Sequence, residues 1–352
     1  MSKFLNNTLN KMVAYVPGEQ PRDKAYVKLN TNESPFPASE GVVKAIDENR
    51  IKDLRLYCDP TCKELKNQLA KVYNTDASEI FVSNGSDEIL NFAFMAYGEK
   101  GVVFADITYG FYSVFSELYN LNAEIVPLNE DFTLNVNGFL AKNKLIVIAN
   151  PNAPTGLEIS IEDIEKILIS NPNNVVIIDQ AYVDFGGKSC HFLTKKYKNL
   201  LCVQTFSKSR SMAGARLGFA IADSEIINDL EKIKYSTNPY NVNSLTQVAG
   251  VYALKDNEYY LNNANKIIKN REYTTKELIK LGFTVLNSKA NFVFAKTNRI
   301  SGEELYLKLK EKGVLVRHFN SQRIKDFNRI TIGSLQEMQL LIEKIKEIFG
   351  EL

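Results

Sequence analysis

Between residues 79 and 222 the sequence alternates short apolar runs, many of them β-branched, with longer stretches whose apolar positions recur at helical spacing. The runs are "EIFVS", "GVVFAD", "AEIVPL", "KLIVIAN", "NVVIIDQ", "LLCVQTFS" and "LGFAIAD". Apolar residues at consecutive positions predict strands covered on both faces. The helical stretches include "SDEILNFAFMAYG" and "SIEDIEKILISN"; each opens on a Ser that can cap its first turn, and Gly98 closes the first of them. Strands and helices in this order predict an α/β domain. After about residue 240 the pattern changes to lysine-rich helices such as "NNANKIIKNREYTTKELIKLG", then a few strands ("TVLNSKANFVFAK", "GVLVRHF", "RITIG") and a closing helix. That change predicts a second, smaller lobe. The Pro-rich, polar "LNTNESPFPASEG" reads as a linker or lid between an N-terminal arm and the larger domain. The expected organisation is an arm and lid over 1–39, a large domain over 40–243 and a small C-terminal α+β domain over 244–352.

Composition agrees with two lobes, because 352 residues exceed what one hydrophobic core usually organises. Apolar residues at 45% and charged residues at 24% are those of a soluble globular chain. With 43 basic against 41 acidic residues, the net charge of +2 gives no general attraction to nucleic acid or an anionic membrane, so neither is expected as a partner. Cys58, Cys62, Cys190 and Cys202 form no C-x-x-C pair, and His191 and His318 stand far apart, so metal-ligand spacing is missing. The first residues carry no apolar leader core, and no run approaches the roughly 18 apolar residues of a membrane span. A cytoplasmic location with free thiols is the expectation.

In open α/β sheets, ligands bind beyond the C-terminal ends of the strands, and four such ends carry suggestive residues. "EIFVS" runs into "NGSDEIL", where Asn84 and Gly85 allow a tight turn. There Ser86 and Asp87 start a helix whose free N–H groups suit a phosphate, unless they merely cap it. "KLIVIAN" runs into "PNAPTG", a turn stiffened by proline with Asn152 at the sheet edge, which an ordinary loop explains equally. "NVVIID" ends on Asp179, followed by Gln180, Ala181 and Tyr182. A carboxylate closing so apolar a strand calls for a cation, whether functional or a structural salt bridge. "LLCVQ" leads into "TFSKSRSMAGARLGFA". Lys208, following so apolar a strand, would suit nucleophilic amine chemistry, including a Schiff base with an aldehyde. Arg216, with the hydroxyls of Thr205 and Ser207, can clamp a phosphate. Arg210 has no evident task beyond solvation or an ion pair.

Taken jointly and in order, Gly85-Ser86-Asp87, "ITYG" with Tyr109, "NPNAPTG", "DQAY", "FSKS" and Arg216 before "LGFA" carry a resemblance over nearly the whole chain. The sequence resembles the pyridoxal-phosphate aminotransferases of the aspartate aminotransferase fold, and within them the histidinol-phosphate aminotransferase family. The resemblance implies a large domain with a mostly parallel seven-stranded sheet flanked by helices, and pyridoxal 5'-phosphate as cofactor. It implies that Lys208 bonds the cofactor aldehyde and later moves a proton, that Asp179 pairs with the pyridinium nitrogen, that Tyr182 bonds the ring O3′ and that Tyr109 stacks on the ring. Ser86, Asp87, Ser207 and Arg216 would surround the phosphate, with Gly85, Asn152 and Thr205 completing the cofactor-binding set. Two positions depart from the family pattern. Ala153 stands where many relatives carry an asparagine that bonds O3′, so that Asn152 or Tyr182 would have to serve alone. Gln180 stands where glutamate is usual.

For substrates, the resemblance assigns Arg317 and Arg329 to the substrate phosphate and the glutamate carboxylate in alternate half-reactions. Tyr15, Asn32 and Glu33 match the arm that closes the site. Tyr57, in "LRLYCDP", resembles a tyrosine reaching the neighbouring subunit's cofactor phosphate, which implies a homodimer with shared sites. The implied reaction moves an amino group between glutamate and a phosphorylated ketone, with the histidinol phosphate/imidazole-acetol phosphate pair as the family substrate. Dihydroxyacetone phosphate, an aromatic 2-oxo acid, and decarboxylation of a phosphoamino acid on the same fold are the alternatives.

Overall fold

The arm contributes a short strand, β1 (Val27–Lys28), and the apolar runs then become one seven-stranded sheet. In the computed structural model, which describes residues 2–10, 12 and 14–351, its strands are β2 (Ile80–Ser83), β3 (Val102–Ala105), β4 (Ala123–Val126), β5 (Leu145–Ala149), β6 (Val176–Asp179), β7 (Leu200–Thr205) and β8 (Gly218–Ala222). They lie in the order β2-β8-β7-β6-β5-β3-β4; β8 runs antiparallel to both neighbours and every other pair is parallel. Successive residues of β5 serve opposite faces. Leu145 and Val147 pack beneath Ile89 and Phe94 of the helix Ser86–Tyr97 and Leu230 of the helix Ser224–Thr237. Ile146 and Ile148 pack on the other side against Phe139 and against Ile164 and Ile167 of the helix Ile161–Ser170. Burial on both faces is why the strands read as consecutive rather than alternating apolar residues. The edge strand β4 differs, since Ile125 is exposed there.

The second body is a four-stranded antiparallel sheet, β12-β13-β10-β9, built from β9 (Phe283–Val285), β10 (Phe292–Thr297), β12 (Arg317–His318) and β13 (Phe327–Thr331). Helices Asn257–Lys280, Gly302–Glu311 and Leu335–Phe349 cover it through Ile267, Leu278, Leu305 and Leu341. The arm is fastened to this small body: β1 pairs in parallel with β11 (Val314–Leu315), and Leu29 is buried in the same apolar cluster. The helix Ser244–Lys255 lies instead on the large body, where Val251 and Leu254 join Leu65 and Leu69 of the helix Lys63–Tyr73. The boundary expected after residue 243 therefore falls ahead of a helix that packs with the preceding residues. Among the described residues no helix is long and apolar enough to cross a membrane.

Candidate active site

The C-terminal ends of β5, β6 and β7 open on a cavity of ≈ 150 Å³. On one side the chain turns from β2 into the helix Ser86–Tyr97 through Gly85, whose φ of 80° needs a glycine. Ser86 does not cap this helix as its place in the sequence suggested: Gly85 holds the N-cap position and no side chain bonds the first turn. The free N–H groups of that turn thus remain available to an anion. Gly218, at the start of β8, lets the sheet approach the same turn, since a Cβ there would lie 2.4 Å from the Ser86 nitrogen. Arg216 closes this corner. Its Nη2 pairs with Asp87 Oδ2 at 3.1 Å, and Asp87 Oδ1 accepts the Tyr109 hydroxyl at 2.8 Å. Thr205 and Ser207 also line the cavity, but the Thr205 hydroxyl is used by the turn, accepting from the Ser207 N–H at 3.1 Å.

Asp179 lies on the opposite wall, 5% exposed, with no lysine or arginine within ion-pair distance among the described residues. Its Oδ2 accepts the hydroxyl of the buried Tyr112 at 2.8 Å and its Oδ1 the Ala181 N–H at 3.2 Å. Burial pushes its carboxyl up to about 6, against the opposing pull of those two hydrogen bonds. Lys208 is half-buried between the walls; its ammonium donates to the Thr31 carbonyl at 3.3 Å and lies 5.7 Å from the Tyr182 ring centroid.

A second cavity of ≈ 340 Å³ shares Tyr109, Ala153, Tyr182 and Lys208 with the first. Its far side carries Arg317 and Arg329, which stand directly opposite each other on β12 and β13. Like charges in that register repel unless an anion lies between them. Arg329 donates to the Asn30 carbonyl at 2.9 Å, while its Nε is enclosed without an acceptor. Burial, and then Arg317, push its guanidinium below its ordinary value. Tyr15 closes the mouth, its ring 4.4 Å from that of Phe111. Asn32 lines the second cavity and donates to the hydroxyl of Tyr182, which lines both, at 3.0 Å.

Besides Gly85, which forms the turn described above, three residues expected at the site lie outside both linings. Asn152 is part of the loop scaffold, donating to the Ile107 carbonyl and accepting from Thr108, while Ala153 faces the cavity in its place. Glu33 pairs with Lys28 at 2.7 Å. Tyr57 is 84% exposed and stacks on Tyr240. Gln180 points away from the site, accepting from Ser189 and Cys202 in a buried uncharged network. Arg210 is neither solvated nor ion-paired among the described residues: it is buried, bonds Asn257 and lies over Phe206 and Tyr260. The sequence reading missed Tyr112, which lies in the first turn of the helix Phe111–Leu118, just beyond Tyr109.

A family model described as aminotransferase class I and II matches residues 24–345. The chain belongs to that family. A histidinol-phosphate aminotransferase of Brachyspira hyodysenteriae is 51% identical to it over 351 residues, covering 99% of each chain. One from Clostridium acetobutylicum is 49% identical over 349 residues with the same coverage. Among solved structures, the histidinol-phosphate aminotransferase of Sinorhizobium meliloti in complex with pyridoxal-5'-phosphate matches with a TM-score of 0.88 over 99% of each chain; at 22% identity that likeness concerns the fold. The aminotransferase thus carries its two cavities where β5, β6 and β7 end and where the small sheet faces them.

Proposed function

We propose that this aminotransferase binds pyridoxal 5'-phosphate in the first cavity and moves an amino group between glutamate and the ketone imidazole-acetol phosphate, giving histidinol phosphate and 2-oxoglutarate in the one direction and the reverse in the other. The names and full-length coverage of the relatives near 50% identity support the substrate. The observation that carries the cofactor is Asp179: a buried carboxylate with a raised pKa, without a cationic partner among the described residues, in a cavity that also holds an amine and an anion cradle. A protonated ring nitrogen supplies the missing charge, the first turn of the helix Ser86–Tyr97 with Arg216 suits a phosphate, and Lys208 suits an aldehyde.

When bound, the cofactor supplies an aldehyde that combines with amines and a ring that withdraws electrons from the adjacent carbon. Asp179 holds the proton on the ring nitrogen. Arg329 and Arg317 orient the substrate anions. Lys208 lines both cavities and would be the base that moves the proton between the substrate carbon and the cofactor's C4′.

A homodimer is part of this reading. Val43, Ile51, Leu54, Leu56 and Tyr57 form an exposed apolar run before the helix Lys63–Tyr73, the kind of surface that a second subunit covers. Tyr57 would then serve the partner's phosphate corner.

The test is a half-reaction: load the enzyme with glutamate, remove 2-oxoglutarate, then offer imidazole-acetol phosphate, dihydroxyacetone phosphate and an aromatic 2-oxo acid in turn while following the cofactor absorbance. The fastest return with imidazole-acetol phosphate supports the reading; a faster return with another ketone reassigns the substrate. Carbon dioxide release from a phosphoamino acid, with no 2-oxoglutarate formed from glutamate, would replace amino transfer by decarboxylation.

A further inference from the structure

Tyr182 lines both cavities, and Asn32, from the lining of the second, bonds its hydroxyl. Asn32 is buried and takes a left-handed backbone, φ 56°, a region that asparagine tolerates better than most residues. It is fixed there by the small body. Its N–H donates to Thr331 Oγ1 at 3.0 Å, its Oδ1 accepts the Thr331 hydroxyl at 3.0 Å, and its main-chain oxygen accepts from Asn291 at 3.0 Å. With Oδ1 turned to Thr331, the amide nitrogen faces Tyr182 and donates to its Oη at 3.0 Å.

A phenol hydroxyl has one proton to give, and this one has its oxygen already engaged as an acceptor. Among the described residues no protein acceptor takes the Tyr182 proton. The neighbouring wall is Ala153, which brings no side-chain polar atom. The Tyr182 ring is itself held edge-on against Phe292, centroids 5.1 Å apart.

We propose that Asn32 is a positioning residue: by donating to Tyr182 it directs the phenol proton into the first cavity, toward an oxygen of the bound cofactor. The arm and the small sheet thereby set the polarity of a pocket built mainly by the large sheet. This rests on reading the first cavity as the pyridoxal-phosphate site.

Asn32→Asp tests it, because it keeps the size and removes the donor. A carboxylate would accept from Tyr182 and draw its proton out of the cavity. We expect the dissociation constant for pyridoxal 5'-phosphate to rise about 10-fold, the loss of one hydrogen bond. The pH midpoint of the bound chromophore, read without substrate, should also rise, since a donor to an ionised oxygen stabilises its charged form. In a Tyr182→Phe background the same substitution should change neither quantity. Asn32→Gly suits the left-handed backbone and removes the amide; it repeats the comparison should the buried carboxylate prevent folding. Unchanged affinity and midpoint, or equal losses in both backgrounds, overturn the proposal. A wild-type protein that fails to bind pyridoxal phosphate would instead overturn the function on which it rests.

Discussion

Asp179 ties the site to the stability of the protein. Burial raises its carboxyl from 3.8 to about 6, so between those pH values the empty folded protein holds a proton that the unfolded chain has released. Stability from this group therefore falls as pH rises through that window, by about 3 kcal/mol when the window is passed. Asp179→Asn should accordingly unfold at a higher temperature than the wild type in the cofactor-free state at pH 7, with the difference vanishing near pH 4. Its turnover should fall by roughly 10²- to 10⁴-fold, the range for a group that governs proton transfer. Calorimetry at the two pH values checks the first point; a less stable variant at pH 7 would mean that Tyr112 and Ala181 outweigh desolvation. The arginines divide differently. Arg317→Ala should raise KM for the phosphorylated substrate 10- to 100-fold, on the order of 1.4 to 3 kcal/mol for a charge-assisted bond, with a smaller effect on glutamate. Arg329→Lys should impair both half-reactions, because lysine keeps the charge but loses the planar fork. Arg317→Ala should leave the empty protein at least as stable, because it relieves the cross-strand repulsion. Equal losses for the two substrates in Arg317→Ala would sink this division.

At the scale of elements, the phosphate corner depends on a backbone approach between β8 and the helix Ser86–Tyr97. Gly218→Ala should cost about 1 to 3 kcal/mol, because its Cβ would meet the Ser86 nitrogen at 2.4 Å and the Gly85 carbonyl carbon at 2.5 Å, main-chain atoms that cannot swing aside. Cofactor affinity should weaken with it. Gly214→Ala, with nothing within 4 Å, is the control and should stay within about 0.5 kcal/mol; denaturant titration compares the two, and equal effects would refute the close-approach argument. Much of this architecture was legible because strands covered on both faces need mostly apolar residues at successive positions, and five of the seven are buried at every position. What escaped depends on which partner an element meets. The helix Ser244–Lys255 directly precedes the lysine-rich helix Asn257–Lys280, and only its contacts assign it to the large body. Ser86 looks like a cap, yet the turn at Gly85 places it inside the helix. Likewise "NTNESPF" marks Asn32 as part of a lid, while the bonds to Thr331 and Tyr182 join residues some 299 and 150 positions apart in the chain, and no local pattern reports these.

At the scale of the molecule, the site is assembled from the large sheet, the small sheet and the arm, and the arm is tied to the small body because β1 pairs with β11. Tyr57 is an expected site residue that its own chain leaves outside the cavities' linings: it is exposed, stacked on Tyr240, and next to the apolar run at Leu54 and Leu56. If it completes the partner's phosphate corner, Tyr57→Phe alone should weaken cofactor binding, and Lys208→Ala alone should abolish turnover. Co-refolding equal amounts of the two variants makes the experiment decisive. Random pairing puts half of the subunit pairs into mixed dimers, and a mixed dimer holds one site with both Lys208 and the tyrosine intact, so roughly a quarter of all sites regain wild-type character in a two-fold assembly. At a cofactor concentration that saturates the wild type but not Tyr57→Phe, activity should rise to about that fraction. Without sharing, every site that retains Lys208 also carries the phenylalanine, and the mixture would show half the activity of Tyr57→Phe alone; that result, with mixed dimers verified by mass spectrometry, would remove Tyr57 from the active site.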